Sequence, residues 1–307
     1  MSEAEKHTSV RKPVSKNKPR MVLSPGMKMI GNGLRITAKF SPSLAANIAA
    51  HLWFMPMMGK PEAHIADWQD KAQQKTPLTF GNDLHIFTNG VNLDAPLVLC
   101  VHGWRGRGFQ FRRFIQPLVD AGFRVAVFDA PAHAGAANEK RWTTFFEFVD
   151  AVKEIEKAAG PIDSIITHSF GSPTTAFTVD ADFKPRKIAM IAGNFDVEYY
   201  LSSFTTHLGF DEKFKQRIRA KVIKLADKRV FKGAYQKIHI DFIPEEMASV
   251  DSKFWYDPED KEINTQSIHV LSEKLGGKPI QLVEGVGHFE ILKSAEVIES
   301  VLEFIQE

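Results

Sequence analysis

The chain has 307 residues, 44% of them hydrophobic, which is enough to fill the core of one large domain or two modest ones. Lysine and arginine total 39 against 37 aspartate and glutamate, and this near balance excludes an electrostatic case for nucleic acid as the main partner. The one cysteine, Cys100, lies in an apolar run and cannot form a disulfide within the chain. We therefore expect a buried, inert thiol and a cytoplasmic protein.

Residues 1–38 are expected to form a flexible arm, because the N-terminus is basic and carries no apolar stretch typical of a secretory signal. A helical segment is predicted over residues 39–76. Its first helix has Ser41 as N-cap and Pro42 at the first helical position, and Pro56 ends it. The uncharged stretch falls short of the roughly 20 residues that span a membrane, so no transmembrane segment is predicted. We expect this helix to pack on the domain; a membrane surface or the mouth of an active site are the alternatives.

From about residue 77 onward, short β-branched or aromatic runs alternate with longer stretches of helical period. This alternation is typical of a mostly parallel sheet with helices on both faces, and it predicts an α/β fold with eight strands. The strand candidates are PLTFG, LHIFTNG, PLVLCVHG, FRVAVFDA, DSIITHS, KIAMIAGN, SKFWYD and PIQLVEG.

Two predicted helices lie between these strands, and Gly122 and Gly160 are expected to end them. The second helix carries one apolar stripe at helical spacing, formed by Phe145, Phe148, Val149, Val152 and Ile155.

The alternation breaks over residues 193–252, an insertion that enters after the sixth strand and leaves before the seventh. An insertion of this length predicts a helical cap or lid over the carboxyl edge of the sheet. Its stretch YYLSSFTTHLGF could supply a pocket wall, and DEKFKQRIRAKVIKLADKR is charged enough to face water. The core is then expected over residues 77–192 and 253–307.

Ser169 directly follows the fifth strand candidate and directly precedes a predicted helix. A nucleophile elbow has this strand-turn-helix context and needs small residues two positions before and after the serine. Gly171 meets the second requirement. Thr167 stands where glycine is usual, so the short motif by itself is weak evidence.

A serine nucleophile needs a base, and the base needs a group to orient it. His288 follows the last strand candidate between Gly285 and Gly287, and Asp260 follows the seventh. The order Ser169, Asp260, His288 is the order in which such a sheet delivers a triad at the carboxyl ends of its strands.

Developing negative charge needs hydrogen-bond donors. Gly103 allows a turn after the third strand that could direct the Trp104 N–H inward, and the Phe170 N–H is the natural second donor. These two N–H groups are the predicted oxyanion hole.

The segments HGWRGRG, VFDAPAHAGA, THSFGS, DPEDKEI and EGVGHFEIL together resemble the α/β-hydrolase superfamily, and more narrowly a group of largely uncharacterised bacterial members. The resemblance covers roughly residues 40 to 307. It implies an α/β-hydrolase fold with Ser169 as nucleophile, His288 as base and Asp260 as acid. The implied activity is cleavage of a small-molecule carboxylic ester, with thioesters and amides as alternatives.

The sequence departs from the family pattern at three positions. Thr167 replaces the elbow glycine, and Ala132 and Ala134 replace glycines in the loop after the fourth strand. Because alanine tolerates positive φ poorly, that loop is expected to take a different path around His133. These departures leave two alternatives: a non-catalytic member of the fold that binds a ligand, and a cofactor-free haloperoxidase that uses the same triad.

Other residues have competing interpretations. Asp196 and Asp257 are alternative acids to Asp260. We expect His168 to pack or hydrogen-bond in the elbow and His102 to hold its loop. An arginine cluster beyond the oxyanion turn could steer anionic substrates, or it could be a solvated or ion-paired face; its members are Arg105, Arg107, Arg112 and Arg113.

Motifs for metal, P-loop and dinucleotide sites are missing from the sequence: it contains no H-E-x-x-H, no C-x-x-C, no G-x-x-x-x-G-K-[ST] and no G-x-G-x-x-G that opens a helix. The sequence therefore predicts a hydrolase without a metal or other cofactor. Substrate identity lies in side chains whose arrangement only a structure gives.

Overall fold

A computed structural model of the chain describes residues 25–58, 62–133 and 140–307. Ala134 and most of the expected N-terminal arm lie outside these residues. The described part contains a sheet whose eight strands are β1 (Gln74–Pro77), β2 (Asp83–Phe87), β3 (Leu97–Val101), β4 (Arg124–Phe128), β5 (Ile162–His168), β6 (Lys187–Ile191), β7 (Asp251–Tyr256) and β8 (Ile280–Leu282).

The strand order is β1-β2-β4-β3-β5-β6-β7-β8. Pairings between β1 and β2 and between β2 and β4 are antiparallel, and every other pairing is parallel. The predicted eight-stranded, mostly parallel sheet is confirmed. Strands β3 and β6 are buried along their whole length, which is why both read as continuous apolar runs with no alternation.

The first strand candidate was wrong. Pairing with β2 uses Gln74–Pro77, whereas the sequence favoured PLTFG from Pro77 onward. The chain already turns there: the Leu78 N–H donates to the Asn82 carbonyl (2.8 Å), and Gly81 has a φ of 90°. The glycine and asparagine of this turn end the hairpin strand earlier than β-propensity suggests.

Helices make up the remaining regular structure of the described residues. They are α1 (Pro25–Phe40), α2 (Pro42–Trp53), α3 (Ala63–Gln69), α4 (Arg112–Asp120), α5 (Phe145–Ala159), α6 (Gly171–Ala176), α7 (Val197–His207), α8 (Glu212–Arg229), α9 (Ala234–Lys237), α10 (Thr265–Lys274), α11 (Gly287–Glu290) and α12 (Ala295–Gln306). Short 3-10 turns lie at Gly108–Phe111, Ile240–Phe242, Glu245–Ser249 and Ile291–Lys293.

Helix α5 shows how sequence fixes these elements. Thr144 accepts a hydrogen bond from the Glu147 N–H, and the Glu147 carboxylate accepts one from the Thr144 N–H, so two of the helix's free donors are satisfied. All five residues of the predicted apolar stripe are buried. Gly160, with a φ of 84°, ends the helix as expected.

The boundary of the N-terminal arm at residue 38 was wrong, because helix α1 occupies Pro25–Phe40. Met27, Gly31 and Leu34 recur at helical spacing and are buried, so this helix is held by packing. Gly31 is needed for that contact: a Cβ there would lie 2.9 Å from the Leu208 carbonyl oxygen.

Helix α2 begins as predicted, with Ser41 accepting a hydrogen bond from the Leu44 N–H and Pro42 in the first turn. It ends at Trp53, three residues before Pro56. Its alanine face is buried in a second apolar cluster, separate from the core around the sheet. That cluster joins the N-terminal helices to the insertion and includes Leu34, Ala46, Ala49, Phe54, Leu201, Ile218, Val222 and Ala226.

The insertion is helical, with α7, α8 and α9 between β6 and β7. Its helices pack on α1 and α2, so part of the chain that precedes the sheet and part that interrupts it share one layer. Whether this layer acts as a lid remains a prediction.

Ile218→Ala should destabilise the protein by about 2–5 kcal/mol, because the fully buried Ile218 fills the second cluster and its loss leaves a cavity. Ile36→Ala is the matched control: Ile36 is 58% exposed on α1, and a change within about 0.5 kcal/mol is expected there. Urea denaturation measures both values. A loss of similar size in the two variants would contradict the packing described here.

Candidate active site

Ser169 occupies a strained turn between β5 and α6. Its φ is 53°, a left-handed conformation that non-glycine residues rarely adopt. The turn is held from both sides, since the Ser169 N–H donates to the Ile191 carbonyl (2.9 Å) and the Ser172 N–H donates to the Ser169 carbonyl (3.0 Å). This geometry matches the strand-turn-helix context that the sequence indicated.

Two glycines make room for this turn. A Cβ on Gly103 would lie 2.7 Å from the Ser169 Cβ, and a Cβ on Gly171 would lie 2.8 Å from the His102 carbonyl oxygen. Thr167 is also fully buried, and its hydroxyl shares a 2.8 Å hydrogen bond with that of Ser172. The threonine therefore fits the position where glycine is usual.

His288 connects Ser169 to Asp260. Its Nε2 lies 3.0 Å from the Ser169 Oγ, and its Nδ1 lies 2.7 Å from the Asp260 Oδ2. The side chains of His288 and Asp260 are 8% and 1% exposed. With the Nδ1–H donated to the carboxylate, the Nε2 lone pair is left to accept the serine proton.

The three candidate acids have different positions. Asp260 alone among them bonds the His288 ring within the described residues. Asp257 accepts the Gly287 N–H at 2.6 Å and so supports the loop that carries His288. Asp196 accepts the N–H of Tyr199 at 3.0 Å and caps α7.

The predicted oxyanion donors lie beside the serine. Gly103, which precedes Trp104, packs against the Ser169 Cβ, and Phe170 follows Ser169 directly. Within the described part of the chain, neither the Trp104 N–H nor the Phe170 N–H donates to a protein acceptor. Both donors are thus available to another group.

A cavity of about 470 Å³ opens beside Ser169 and His288. Its wall is mostly apolar and comes from three parts of the chain: the N-terminal helices, the core and the insertion. The apolar lining residues include Met27, Leu52, Trp53, Phe54, Phe146, Phe170, Phe204, Ala226, Val230 and Ile243.

Residues 96–194 match the family described as the alpha/beta hydrolase fold. The chain has the α/β-hydrolase fold. No curated protein matches the sequence.

Solved structures agree on this fold. A carboxylesterase of the thaumarchaeon Nitrososphaera gargenis aligns with a TM-score of 0.52 and 14% identity over 76% of this chain and 97% of its own. A proline iminopeptidase-related protein from Thermus thermophilus aligns with a TM-score of 0.53 and 16% identity over 76% and 95%. A membrane phospholipase A, described as a bacterial virulence factor, aligns with a TM-score of 0.56 and 14% identity over 91% and 99%.

His168 supports the candidate site from inside the core. Its Nε2–H donates to the His288 carbonyl (2.9 Å), and the two rings lie 4.8 Å apart. Burial and the neighbouring His288 lower the pKa of His168 to about 3, so the ring is neutral. It fixes the loop that presents His288.

His102 and His133 tie the loops after β3 and β4 together. His102 accepts the Ala130 N–H (2.9 Å), and His133 accepts the Arg105 N–H (3.1 Å). Ala132 has a φ of 62°, so the alanine adopts a left-handed conformation that favours glycine. Because of these bonds the loop keeps that conformation despite the strain, whereas the sequence suggested that alanine would avoid it.

The arginine cluster has mixed surroundings. The Arg112 guanidinium lies 4.5 Å from the centre of the Phe109 ring, and Arg113 donates to the Lys293 carbonyl (2.9 Å). Arg105 lines the cavity. Arg112 and Arg113 therefore have structural partners, whereas Arg105 reaches the cavity.

Two residues of the site were missed by the sequence reasoning. The Tyr200 hydroxyl, from α7, donates to the Asn194 carbonyl (3.2 Å) and also interacts with Ser169. Burial raises the pKa of this hydroxyl, so the hydroxyl stays protonated. Glu262 lines the cavity near His288, and burial raises the pKa of its carboxyl. Glu262 lies in the segment DPEDKEI without being singled out there, and no motif marks Tyr200; the tertiary structure brings both side chains to the cavity beside Ser169.

Neither a metal cluster nor a membrane span is found in the described residues. No group of three or more His, Cys, Asp or Glu side chains there is arranged to bind a metal ion. The helices described are each too short or too polar to cross a bilayer. Cys100 is buried as predicted, and burial raises the pKa of its thiol.

Acid should destabilise the protein through His168. An unfolded histidine titrates near 6.5, and the folded value is about 3. Between these pH values the unfolded chain binds a proton that the folded protein does not, so stability falls as pH falls, by about 1.4 kcal/mol per pH unit. Urea denaturation at pH 7, 6 and 5 should show a steeper loss for wild type than for His168→Gln. The exposed His239→Gln is the control; equal pH dependence of wild type and His168→Gln would contradict this assignment.

Proposed function

We propose that the protein is a serine hydrolase that cleaves carboxylic esters through an acyl intermediate on Ser169. The observation that carries the proposal is the placement of His288, with one ring nitrogen on the Ser169 hydroxyl and the other on the Asp260 carboxylate. A serine in a strained turn, paired to a buried and oriented imidazole, is the arrangement that makes a hydroxyl nucleophilic.

In the first half-reaction, the Ser169 Oγ attacks the ester carbonyl carbon while the His288 Nε2 takes the hydroxyl proton. The carbonyl oxygen becomes negatively charged, and the N–H groups of Trp104 and Phe170 donate hydrogen bonds to it. The carbon–oxygen bond to the alcohol then breaks, and His288 returns the proton to the leaving alkoxide. Asp260 keeps the imidazole oriented and stabilises its cation during this step.

In the second half-reaction, water attacks the acyl carbon and the His288 Nε2 takes one of its protons. The bond to the Ser169 Oγ breaks, the proton passes to that oxygen, and the carboxylic acid leaves. The enzyme is then in its starting protonation state.

The substrate class follows from the cavity. An apolar space of about 470 Å³ beside Ser169 suits a hydrocarbon acyl or alkyl group more than a charged one. Carboxylesterases are among the proteins that share the fold, which fits the proposal. Thioesters carry the same reacting carbonyl, so they belong to the same substrate class.

The triad assignment is tested with a fluorophosphonate probe and a panel of p-nitrophenyl esters. Wild type should be labelled, and Ser169→Ala should lose both labelling and about 10⁶-fold in kcat. Asp260→Asn should also lose at least about 10³-fold, because the amide no longer holds the imidazole in the required tautomer.

Glu259→Gln is the matched control, because it makes the same carboxylate-to-amide change one residue before Asp260 at an exposed position, and it should keep most of the activity. Native wild type that neither reacts with the probe nor hydrolyses any ester would contradict the proposal. It would instead favour the non-catalytic, ligand-binding alternative.

Ala226→Phe should shift the preference toward shorter acyl chains. Ala226 lines the cavity from α8, so a phenyl ring there removes space that a longer chain would fill. We expect kcat/KM to fall at least tenfold for an octanoate ester and to change less than twofold for an acetate ester. Ala248→Phe adds the same ring at an exposed position outside the cavity, and its acyl-chain profile should match wild type. An unchanged profile in Ala226→Phe would show that the acyl group lies elsewhere.

A further inference from the structure

Helix α1 has an exposed apolar row opposite its packed face. Met29, Ile36 and Phe40 follow one another at spacings of seven and four residues, so they lie on one side of the helix. They are 72%, 58% and 86% exposed. The face that packs on the insertion, marked by Met27 and Leu34, lies about half a turn away.

Helix α2 carries two further exposed apolar side chains. Only Ser41 separates the two helices, and α2 continues with Leu44 and Ile48, which are 51% and 38% exposed. We call the five side chains the docking row: Met29, Ile36, Phe40, Leu44 and Ile48. No other exposed large hydrophobic residues of the described chain lie so close together in the sequence.

A second row on α1 is basic. Lys28, Arg35 and Lys39 also recur at spacings of seven and four residues, about 100° around the helix from the apolar row. Lys28 and Lys39 form no ion pair with the described residues. Arg35 and Lys39 line a shallow depression together with Lys213 and Arg217 of α8. The one acidic residue in that lining, Asp211, caps α8.

The basic character extends over the N-terminal part of the sequence. Residues 6–61 contain many lysines and arginines and no aspartate or glutamate. The near-neutral net charge of the chain therefore hides a strong local excess of positive charge.

We propose that the docking row and its basic flank bind the surface of an anionic lipid bilayer. Apolar side chains beside lysines and arginines are the combination that inserts at the boundary between headgroups and acyl chains. Charge makes two other partners for this face unfavourable, a second copy of the chain and the basic residues that precede α1. A second copy docked through the same face would bring two basic rows together, and the basic residues before α1 would be repelled by Lys28 and Lys39.

The same helices line the cavity, which connects docking to substrate. Met27 of α1 and Trp53 of α2 lie on its wall, about half a turn around their helices from the docking row. Leu52, one helical turn beyond Ile48, also lines the cavity. A bilayer bound at α1 and α2 thus lies next to the cavity wall. The ester would then be a membrane lipid. The lipid substrate rests on the proposed function, whereas the membrane docking does not.

The docking is tested by co-sedimentation of the full chain with unilamellar vesicles of phosphatidylcholine, pure or with 30% phosphatidylserine. Wild type should bind the anionic vesicles, and binding should weaken as salt rises from 0.1 to 1 M, because screening shortens the reach of charge from about 10 to about 3 Å. The triple variant Met29→Ser, Ile36→Ser, Phe40→Ser should lose at least tenfold in affinity. Lys28→Glu with Lys39→Glu should remove the preference for anionic vesicles.

A matched triple variant removes three exposed apolar side chains elsewhere, Leu93→Ser, Phe242→Ser and Val270→Ser, and it should bind as wild type. Ser169→Ala should also bind as wild type, so loss of catalysis and loss of docking are separated. The triple variant at Met29, Ile36 and Phe40 is the docking variant. On lipid esters presented in vesicles it should hydrolyse at least tenfold more slowly than wild type, and on soluble p-nitrophenyl acetate it should keep the wild-type rate.

Wild type that does not sediment with anionic vesicles would overturn the proposal. Equal binding by wild type and the docking variant would also overturn it. A dimer in sedimentation velocity that the docking variant converts to a monomer, with no vesicle binding, would assign the face to self-association instead.

Discussion

The left-handed backbone at Ser169 is the constraint on which the rest of the site depends. A non-glycine residue in this conformation costs about 1–3 kcal/mol and persists only where its surroundings hold it. Here the surroundings are the fully buried strands on either side of β5 and the missing side chains of Gly103 and Gly171. Because the turn is sharp, the serine hydroxyl projects from the carboxyl edge of the sheet, where the loop after β8 brings His288 to meet it.

Neutral histidines fix the loops around this turn. Burial lowers the pKa of His102, His133 and His168, so each ring can donate at one nitrogen and accept at the other. His168 thereby holds the backbone of His288, and His102 joins the loops after β3 and β4. Among the described histidines, His288 contacts both a hydroxyl and a carboxylate, and the proposed function assigns proton transfer to it.

The described residues form two apolar cores, and side chains from both line the cavity. One core surrounds the sheet and holds the strained turn. The other joins α1 and α2 to the helices of the insertion, so residues far apart in the sequence form one wall of the cavity beside the turn. This second core also explains why α1 has two apolar faces: one packs inward, and the other, with Phe40 the most exposed, stays uncovered.

The sequence by itself determined the sheet, the order of Ser169, Asp260 and His288 along it, and the helical insertion, because strand and helix periods and glycine positions are local signals. It did not determine the extent of the first strand or of helix α1, where a tight turn and packing on Leu208 outweighed local propensity. The sequence favoured Asp260 but left Asp257 open; the tertiary structure shows that Asp260 bonds the imidazole, that Tyr200 reaches Ser169 and that Glu262 lies near His288. These are distances between residues remote in sequence, set by how the loops pack, and no local pattern encodes them.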